Sequence, residues 1–316
     1  MDLMDGIVYR STGSWYLLKS EEGMFVEARI KGKFRNKNIK TTNPISVGDV
    51  VSYSLKEDGK GWIENIHPRK NYMIRKSVNL SKEAHIIGSN IDLCVLVATV
   101  SNPETSTGFI DRFTVTAQAY DIPILLVFNK LDLYDIQDKQ LLEEYIAVYE
   151  NAGFDCLVTS VKNNFAIEKL KSKLENKTVL FSGHSGAGKS SLINSMNPSL
   201  DLAVGELSEA HQKGKHTTTF AQMFDLSDTI RLIDTPGIKG FGLIDVGKHE
   251  LAQFFPEMFA LSGNCKFHNC VHINEPGCAV LQALNNGDIA DFRYQSYFSM
   301  YNDNSEETFR TLNHSQ

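Results

Sequence analysis

Gly183-His184-Ser185-Gly186-Ala187-Gly188-Lys189-Ser190 is the stretch of this sequence that decides the fold. It matches the phosphate-loop pattern G-x-x-x-x-G-K-[ST] and follows an apolar, β-branched run at 178–181. In such a loop the glycines let successive backbone N–H groups face one anion, Lys189 neutralises the outer phosphates, and Ser190 offers its hydroxyl to Mg²⁺. The pattern predicts a strand, a nucleotide-binding loop at 183–191 that includes Ser191, and a helix beginning near Lys189. The alternative is an ordinary glycine-rich turn.

A second nucleotide motif, Asn129-Lys130-Leu131-Asp132, closes the apolar run at 124–128. That run is typical of a buried parallel strand, so the motif would lie at the sheet edge where α/β folds bind ligands. The Asp132 carboxylate can accept from guanine N1–H and the 2-amino group. Adenine offers neither donor and would leave a buried acceptor unpaired, so the motif predicts GTP rather than ATP. The alternative is an exposed polar turn.

The base pocket has a further candidate in Ser160, which follows the apolar run at 156–158. Its side chain or backbone could support the guanine oxygen. The guanine motif also precedes the phosphate loop, whereas ordinary GTPases carry the two in the opposite order. We therefore predict a circularly permuted GTPase domain of the α/β class.

Two segments downstream of the phosphate loop have the composition of nucleotide switches. In Asp234-Thr235-Pro236-Gly237, Asp234 can hold Mg²⁺ through water and the Gly237 N–H can meet the γ-phosphate. In the segment 215–219, a threonine hydroxyl is needed on the metal, and Thr218 or Thr219 is better placed than Thr217. These threonines could also begin the strand that continues through 220–224.

The water-orienting group is missing from its usual place. Ile238 stands where Ras-like enzymes have a glutamine, which predicts slow intrinsic hydrolysis. We hypothesise that His216 replaces that glutamine, because imidazole can orient water and this residue lies beside the metal threonines. His211 is the competing candidate, and a solvated loop histidine is the alternative. The predicted catalytic residues are thus His216, Lys189 and Asp234.

A compact group of metal-ligand residues, Cys265, Cys270, His272 and Cys278, falls within fourteen residues near the C-terminal end. This composition suits one closed, tetrahedral Cys₃His zinc site. Core thiols or a disulfide are the alternatives, and a disulfide is disfavoured in a cytosolic chain with an odd number of cysteines. His268 is an alternative ligand to His272. We expect the two remaining cysteines, Cys94 and Cys156, to be buried small apolar residues.

Taken together, these motifs resemble the ribosome small-subunit-dependent GTPase A family of bacteria. The resemblance rests on the permuted order of motifs, the Cys-Lys-Phe-His-Asn-Cys-Val-His run at 265–272 and the Glu-Pro-Gly-Cys run at 275–278. It implies an N-terminal OB-fold barrel, a permuted Ras-like P-loop GTPase domain and a mainly helical zinc-binding domain. It also implies action in late maturation of the small ribosomal subunit. One departure is Ala187, where this family commonly has valine.

The charge of the chain is unevenly distributed. Its net charge is −6, but residues 1–80 hold 14 Lys and Arg against 9 Asp and Glu, or +5, and the remainder holds 18 against 29, or −11. Basic density is highest in 29–40, as expected of a surface that faces RNA phosphates, although a solvated basic loop is the alternative. Alternating apolar residues predict several short strands here, which fit an OB barrel or an SH3-like barrel.

The domain limits follow from these patterns: an RNA-binding barrel at 1–69, the GTPase domain at 70–240 and the zinc domain at 241–316. The stretch 279–301 is expected to be helical, with aromatics that are more typical of a core than of base stacking. The first five residues lack the basic start of a signal peptide, and no apolar run approaches the roughly eighteen residues that span a bilayer. We therefore expect a cytoplasmic monomer without a membrane partner.

Two classes of function fit the sequence. The first is a GTPase that uses GTP, GDP and Mg²⁺, is activated by the small ribosomal subunit and its rRNA, and is released according to its nucleotide state. The second is an RNA-binding scaffold with nucleotide as a structural ligand. Retention of Lys189, Ser190 and Asp234 favours the enzyme. A GTPase of large-subunit assembly is a weaker third interpretation, because of the basic barrel and the cysteine cluster.

Overall fold

A computed structural model describes residues 3–30, 44–76, 84–202, 221–234 and 246–312 of the 316-residue chain. Its strands are β1 (Met4–Ser11), β2 (Tyr16–Ser20), β3 (Phe25–Ile30), β4 (Val50–Leu55), β5 (Gly61–Ile66), β6 (Tyr72–Lys76), β7 (Ala84–Ser89), β8 (Leu93–Ala98), β9 (Ile124–Phe128), β10 (Asp155–Val158), β11 (Thr178–Gly183), β12 (Gln222–Asp225) and β13 (Arg231–Asp234). Its α-helices are α1 (Thr107–Gln118), α2 (Ile136–Asn151), α3 (Ile167–Leu174), α4 (Lys189–Met196), α5 (Pro256–Ser262), α6 (Ala279–Asn286) and α7 (Asp291–Leu312).

Six strands form the nucleotide-binding sheet in the order β10-β9-β8-β11-β13-β12. Pairings along this row are parallel except for β12 with β13, which is antiparallel. If the phosphate-loop strand β11 is numbered 1 and β12, β13, β8, β9 and β10 are numbered 2 to 6, the row read from the β12 end is 2-3-1-4-5-6, which is the strand order of a Ras-like GTPase. The fold is therefore that domain, begun at a different point of the chain.

The sheet is buried on both faces, as its continuous apolar strands predict. Every residue of β8 and β9 is buried. One apolar cluster packs α1 and α2 on one face of the sheet, and a second packs α3 and α4 on the other. This three-layer arrangement brings the carboxyl ends of β8, β9, β11 and β13 to one edge, where the predicted nucleotide motifs lie.

The first five strands close into a small barrel. Strand β1 pairs with both β2 and β4, and β3 pairs with β5 in parallel. The closed order β1-β2-β3-β5-β4 with one parallel contact is that of an OB fold, and it settles the choice between OB and SH3-like barrels. Buried side chains of alternating strand positions fill the barrel, including Val8, Leu18 and Ile63.

The barrel continues the nucleotide-binding sheet. Arg10 of β1 pairs with Gln222 of β12, so barrel and GTPase strands form one eleven-stranded sheet. In addition, the Arg69 guanidinium donates to both carboxylate oxygens of Asp49 at 2.6 Å, and the Ser89 hydroxyl donates to the same carboxylate. Because the Asp49 side chain is fully buried, this charge-assisted contact fixes the barrel on the β6–β7 hairpin.

The C-terminal region is helical and packs against α1. We predicted helix throughout 279–301, which is wrong at one point: α6 ends at Asn286, and α7 begins at Asp291. Gly287 has φ +80°, a left-handed conformation that terminates α6. Among the aromatics of α7, Tyr297 is fully buried, as expected of a core residue, whereas Phe298 is 42% exposed.

The two cysteines outside the cluster differ from each other. Cys94 on β8 is fully buried, and burial raises the pKa of its thiol far above the ordinary value. Cys156 was also expected to be buried, but its side chain is only half-buried and lines an open groove between α2 and α3. Strand β10 is the outer strand of the sheet, which explains the difference. In the described part of the chain, no helix combines the length and apolar character required to cross a membrane.

Candidate functional site

The phosphate loop joins β11 to α4, as the motif predicts, and α4 begins at Lys189. Gly188 has φ +95°, and a Cβ there would lie 2.4 Å from the Asn129 side-chain nitrogen. Gly183 has φ +148°, and a Cβ there would lie 2.2 Å from the Val97 carbonyl oxygen. Both positions therefore require glycine for conformation and for space.

The loop side chains differ in exposure. His184, Ser185 and Gly186 are exposed at the tip of the loop, whereas Ala187 and Ser190 are buried and Ser191 is half-buried. The Lys189 ammonium donates to the carbonyl oxygens of Gly183 at 2.7 Å and of His184 at 3.3 Å. Burial lowers the pKa of Lys189, and the carboxylate of Asp234 partly offsets this shift. The loop thus places a cation and a row of backbone groups at one sheet edge.

The guanine motif lies directly beside the phosphate loop. Asn129 is buried, and its side-chain nitrogen donates to the Ala187 carbonyl at 3.0 Å, across 58 residues of chain. The Thr159 hydroxyl donates to the Asn129 side-chain oxygen at 3.0 Å. Lys130 has φ 67°, while Leu131 and Asp132 begin a short 3₁₀ turn. The sequence-distant motifs are therefore brought together by hydrogen bonds through one amide side chain.

Ser160 holds the carboxylate of the guanine motif. Its hydroxyl donates to Asp132 Oδ1 at 2.5 Å and accepts from the Asn163 N–H at 3.2 Å. Backbone hydrogen bonds in both directions with Phe165 keep the turn closed. A fully buried hydroxyl thus orients the half-buried carboxylate. The sequence suggested Ser160 as support for the base, and the structure gives it this additional contact.

The predicted metal and catalytic residues are described only in part. Asp234 is the last residue of β13 and pairs in register with Phe181 of β11, which places it next to the phosphate-loop strand. His216, Thr218, Thr219 and Gly237 lie outside the described residues, as do His211 and the basic segment at 31–40. Within the described ranges, the site is therefore composed of the phosphate loop, the guanine motif, Ser160 and Asp234.

The four predicted zinc ligands converge. One donor atom from each of Cys265, Cys270, His272 and Cys278 lies within 4.8 Å of the others. The His272 Nδ1 atom lies 3.6 Å from Cys265 Sγ and 3.4 Å from Cys278 Sγ, and these two sulfurs are 4.0 Å apart. In tetrahedral zinc sites, bond lengths of about 2.0 to 2.3 Å put ligand atoms roughly 3.5 to 3.8 Å apart. The donor set and spacing fit a zinc ion.

The surroundings of this cluster also suit a metal. Burial lowers the pKa of His272, which favours the neutral imidazole that binds metals, although Glu275 opposes the shift. The Ser262 hydroxyl lies 3.2 Å from the other ring nitrogen, Nε2, and the N–H groups of Ala279 and Leu281 donate to two of the sulfurs. Hydrogen bonds of this kind orient ligands and stabilise thiolates.

Sequence reasoning missed a cation–aromatic group on the outer face of the barrel. The Arg29 guanidinium lies 3.7 Å from the ring centre of Trp15, and the Lys60 ammonium lies 5.3 Å from the same ring. Lys56 similarly lies 5.7 Å from the Trp62 ring. The charge count singled out only Arg29 of these residues. One sequence signal could have predicted this group: Trp15 and Trp62 each lie next to the first residue of a strand, within the basic N-terminal segment.

Comparison with known proteins agrees with this geometry. The family model of the RsgA N-terminal domain matches residues 5–63, and that of the RsgA GTPase matches residues 66–244. The chain is 54% identical over 313 residues to "Small ribosomal subunit biogenesis GTPase RsgA" of Flavobacterium psychrophilum, covering 98% of this chain and 95% of the relative. It is 52% identical over 310 residues to the protein of that name in Christiangramia forsetii, covering 97% and 98%.

Two solved structures share the fold over nearly the whole chain. YjeQ from Thermotoga maritima has a TM-score of 0.78 at 34% identity, covering 96% of this chain and 99% of that one. YloQ, described as a circularly permuted GTPase, has a TM-score of 0.74 at 27% identity, covering 97% and 96%. With its permuted strand order, its OB barrel and its Cys₃His cluster, the chain belongs to the RsgA family of GTPases.

Proposed function

We propose that this GTPase binds the small ribosomal subunit and assists its late maturation, that the subunit stimulates its GTP hydrolysis, and that nucleotide state controls its release. The observation that carries the proposal is the single eleven-stranded sheet, which joins the OB barrel to the nucleotide site. A surface suited to RNA and a hydrolytic site are thereby held in one body. Relatives that cover nearly the whole chain are named as small-subunit biogenesis GTPases.

The nucleotide would lie along the edge formed by the phosphate loop and the guanine motif. Residues 183–191 would bind the phosphates, with Lys189 leaving its carbonyl partners to neutralise them, while Asp132, held by Ser160, would read the base. Membership of a GTPase family implies the use of Mg²⁺, which would neutralise phosphate charge when bound. Ser190 and Asp234 are the described side chains that would hold it.

Hydrolysis further requires groups in the two switch segments. We propose Thr218 or Thr219 as a metal ligand, the Gly237 N–H as the contact to the γ-phosphate and His216 as the residue that orients water. With Ile238 in the usual glutamine position, turnover without the ribosome would be slow. Placement of these groups against the nucleotide by the small subunit would then account for stimulation.

The outer face of the barrel is the proposed contact with rRNA. Trp15 in the β1–β2 loop, Arg29 on β3 and Lys60 in the β4–β5 loop meet at one place. OB folds bind nucleic acids on this strand face and with these loops. A tryptophan ring offers a stacking surface for bases, and the cations attract phosphates. The protein would act in the cytoplasm as a monomer.

The Cys₃His cluster is proposed to hold one structural Zn²⁺. All of its donors come from 265–278, and its buried side packs against the helices α5, α6 and α7. Four protein ligands would close the coordination sphere, so the ion would stabilise this region without taking part in hydrolysis.

GTP turnover measured with purified ribosomal subunits tests the proposed function. The protein alone, with small subunits and with large subunits at equal concentration would be compared, with ATP and the Lys189→Ala variant as controls. Strong stimulation by small subunits alone is the expected result. Absence of stimulation by either subunit would contradict the proposal and favour an RNA-binding scaffold. Stimulation by large subunits would instead indicate a GTPase of large-subunit assembly.

A further inference from the structure

The loop between β8 and α1, residues 99–105, is closed on itself. The Thr105 N–H donates to the Thr99 carbonyl at 2.8 Å, and the Thr99 N–H donates to the Thr105 hydroxyl at 3.1 Å. Both threonines are buried. These two internal hydrogen bonds join the two ends of the loop and help to define its shape. We call residues 99–105 the bracing loop.

Tyr134 fastens the bracing loop to the guanine motif. Its hydroxyl accepts from the Val100 N–H at 2.9 Å and donates to the Asn129 carbonyl at 2.6 Å. All three residues are buried, and burial raises the pKa of Tyr134 to about 12, so the hydroxyl remains a donor at neutral pH. One side chain thus satisfies two buried backbone groups that belong to two different strand ends.

Further contacts extend this connection on both sides. The Lys130 ammonium of the guanine motif donates to the Asn102 carbonyl at 2.7 Å, and the Ser101 hydroxyl donates to Asp138 of α2 at 2.7 Å. At the far end of the loop, Pro103 lies against the phosphate loop, where a Cβ added to Gly186 would be 3.3 Å from its ring. The bracing loop therefore touches both halves of the nucleotide site.

We propose that the bracing loop sets the relative position of the guanine motif and the phosphate loop, and that Tyr134 is its principal positioning residue. The proposal rests on the nucleotide site assigned above. Asn129 forms a second connection between the two halves through its hydrogen bond to Ala187, and its backbone carbonyl is the group that Tyr134 holds. Tyr134 would change nucleotide affinity through Asn129 and the bracing loop, without contacting the nucleotide itself.

The Tyr134→Phe variant tests this role. Without the hydroxyl, the Val100 N–H and the Asn129 carbonyl lose their partner, and the nucleotide-free loop can relax to let water reach them. Nucleotide binding must reverse that relaxation, so GDP should bind about tenfold more weakly. The KM for GTP should rise by a similar factor while kcat at saturation stays within about twofold. Ser101→Ala, which releases the bracing loop from α2, should also weaken GDP binding, but by a smaller factor.

Tyr297→Phe is the matched control, because it removes a buried hydroxyl that donates to the Val271 carbonyl in the zinc region. It should leave GDP affinity unchanged. Unchanged affinity in Tyr134→Phe, or an equal loss in Tyr297→Phe, would overturn the proposal. Lys189→Ala and Asp132→Asn test the assigned nucleotide site separately from the role of the bracing loop. If these two variants retain GDP binding, the assigned nucleotide site itself is wrong.

Discussion

A single hydroxyl holds the carboxylate that would read guanine. Ser160 is fully buried and donates to Asp132 at 2.5 Å, so the carboxylate is oriented before a base arrives. In Ser160→Ala, the carboxylate keeps its charge but loses this orientation. We expect GDP affinity to fall by about ten- to 150-fold, which corresponds to the roughly 1.5 to 3 kcal/mol that a hydrogen bond to a charged group contributes.

Comparison of GDP with IDP, which lacks the 2-amino group, measures the orientation directly. The preference for GDP over IDP should shrink in Ser160→Ala, because the double contact to Asp132 needs a fixed carboxylate. Ser172→Ala is the control, since its hydroxyl is exposed and donates only to the Lys169 carbonyl of its own helix. An unchanged preference would show that Ser160 does not act through Asp132.

The proposed zinc site depends on a similar contact. Ser262 lies 3.2 Å from Nε2 of His272 and donates to the Met258 carbonyl at 2.9 Å, so it can fix the ring whose Nδ1 faces the sulfurs. Ser262→Ala should weaken zinc binding by about tenfold or more, as is usual when such partners are removed. Competition with a chromophoric chelator measures the effect. Zinc affinity equal to that of the unmodified protein would exclude the role.

At the scale of elements, one buried arginine joins α7 to the GTPase domain. Arg293 is fully buried and donates to Asp111 of α1 at 2.6 Å and to Glu257 of α5 at 2.7 Å. Tyr149 of α2 also donates to Asp111, at 2.8 Å. Burial alone would lower the pKa of Arg293, but the two carboxylates raise it, so the guanidinium stays charged. Four helices of two regions thus share one ion network.

Removal of that cation should be costly. Arg293→Ala leaves the fully buried Asp111 without its cation, and we expect destabilisation of about 3 to 5 kcal/mol. The double variant Arg293→Met with Asp111→Asn should recover part of this loss, because the fully buried residue at 111 then carries no charge and only Glu257, whose side chain is 17% exposed, keeps a charge without its cation. Urea unfolding of the zinc-loaded protein measures both changes.

Arg112 provides the matched control for this network. It pairs with Asp303 at 2.5 Å between the same two helices, α1 and α7, but the Asp303 side chain is 57% exposed. Arg112→Ala should therefore cost no more than about 1 kcal/mol. Equal effects of Arg112→Ala and Arg293→Ala would contradict the argument from burial.

Elements with strong local patterns were predictable, and contacts between distant elements were not. Continuous apolar runs predicted β8, β9 and β11, and the Cys₃His spacing predicted a cluster that the structure brings together. Arg293 gave no signal, because its partner Asp111 is 182 residues away and each is an ordinary charged residue in sequence. Tyr134 was missed for the same reason: its two partners are backbone groups, which no sequence pattern marks.

For the whole molecule, the important connection is between the barrel and β12, the strand that follows the first predicted switch segment, residues 215–219. Strand β12 begins at Gln222, a few residues after the threonines at 217–219, and pairs with β1 of the barrel. At its end, Asp225 accepts from the Tyr9 hydroxyl at 2.7 Å and from the Lys19 ammonium at 2.6 Å. A change in the first switch can therefore reach the barrel through β12.

This connection leads to a prediction about the proposed control of small-subunit affinity by nucleotide state. Lys19→Ala removes one of the two barrel contacts of Asp225, so the ratio of affinities with a GTP analogue and with GDP should fall by about threefold or more. Binding of labelled protein to purified small subunits in each nucleotide state gives the ratio. Lys173→Ala is the control, since it breaks a Lys–Asp pair of 3.0 Å at the opposite edge of the sheet. If Lys19 contributed only by attracting RNA phosphates, both affinities would fall equally and the ratio would stay constant, which would exclude transmission through β12.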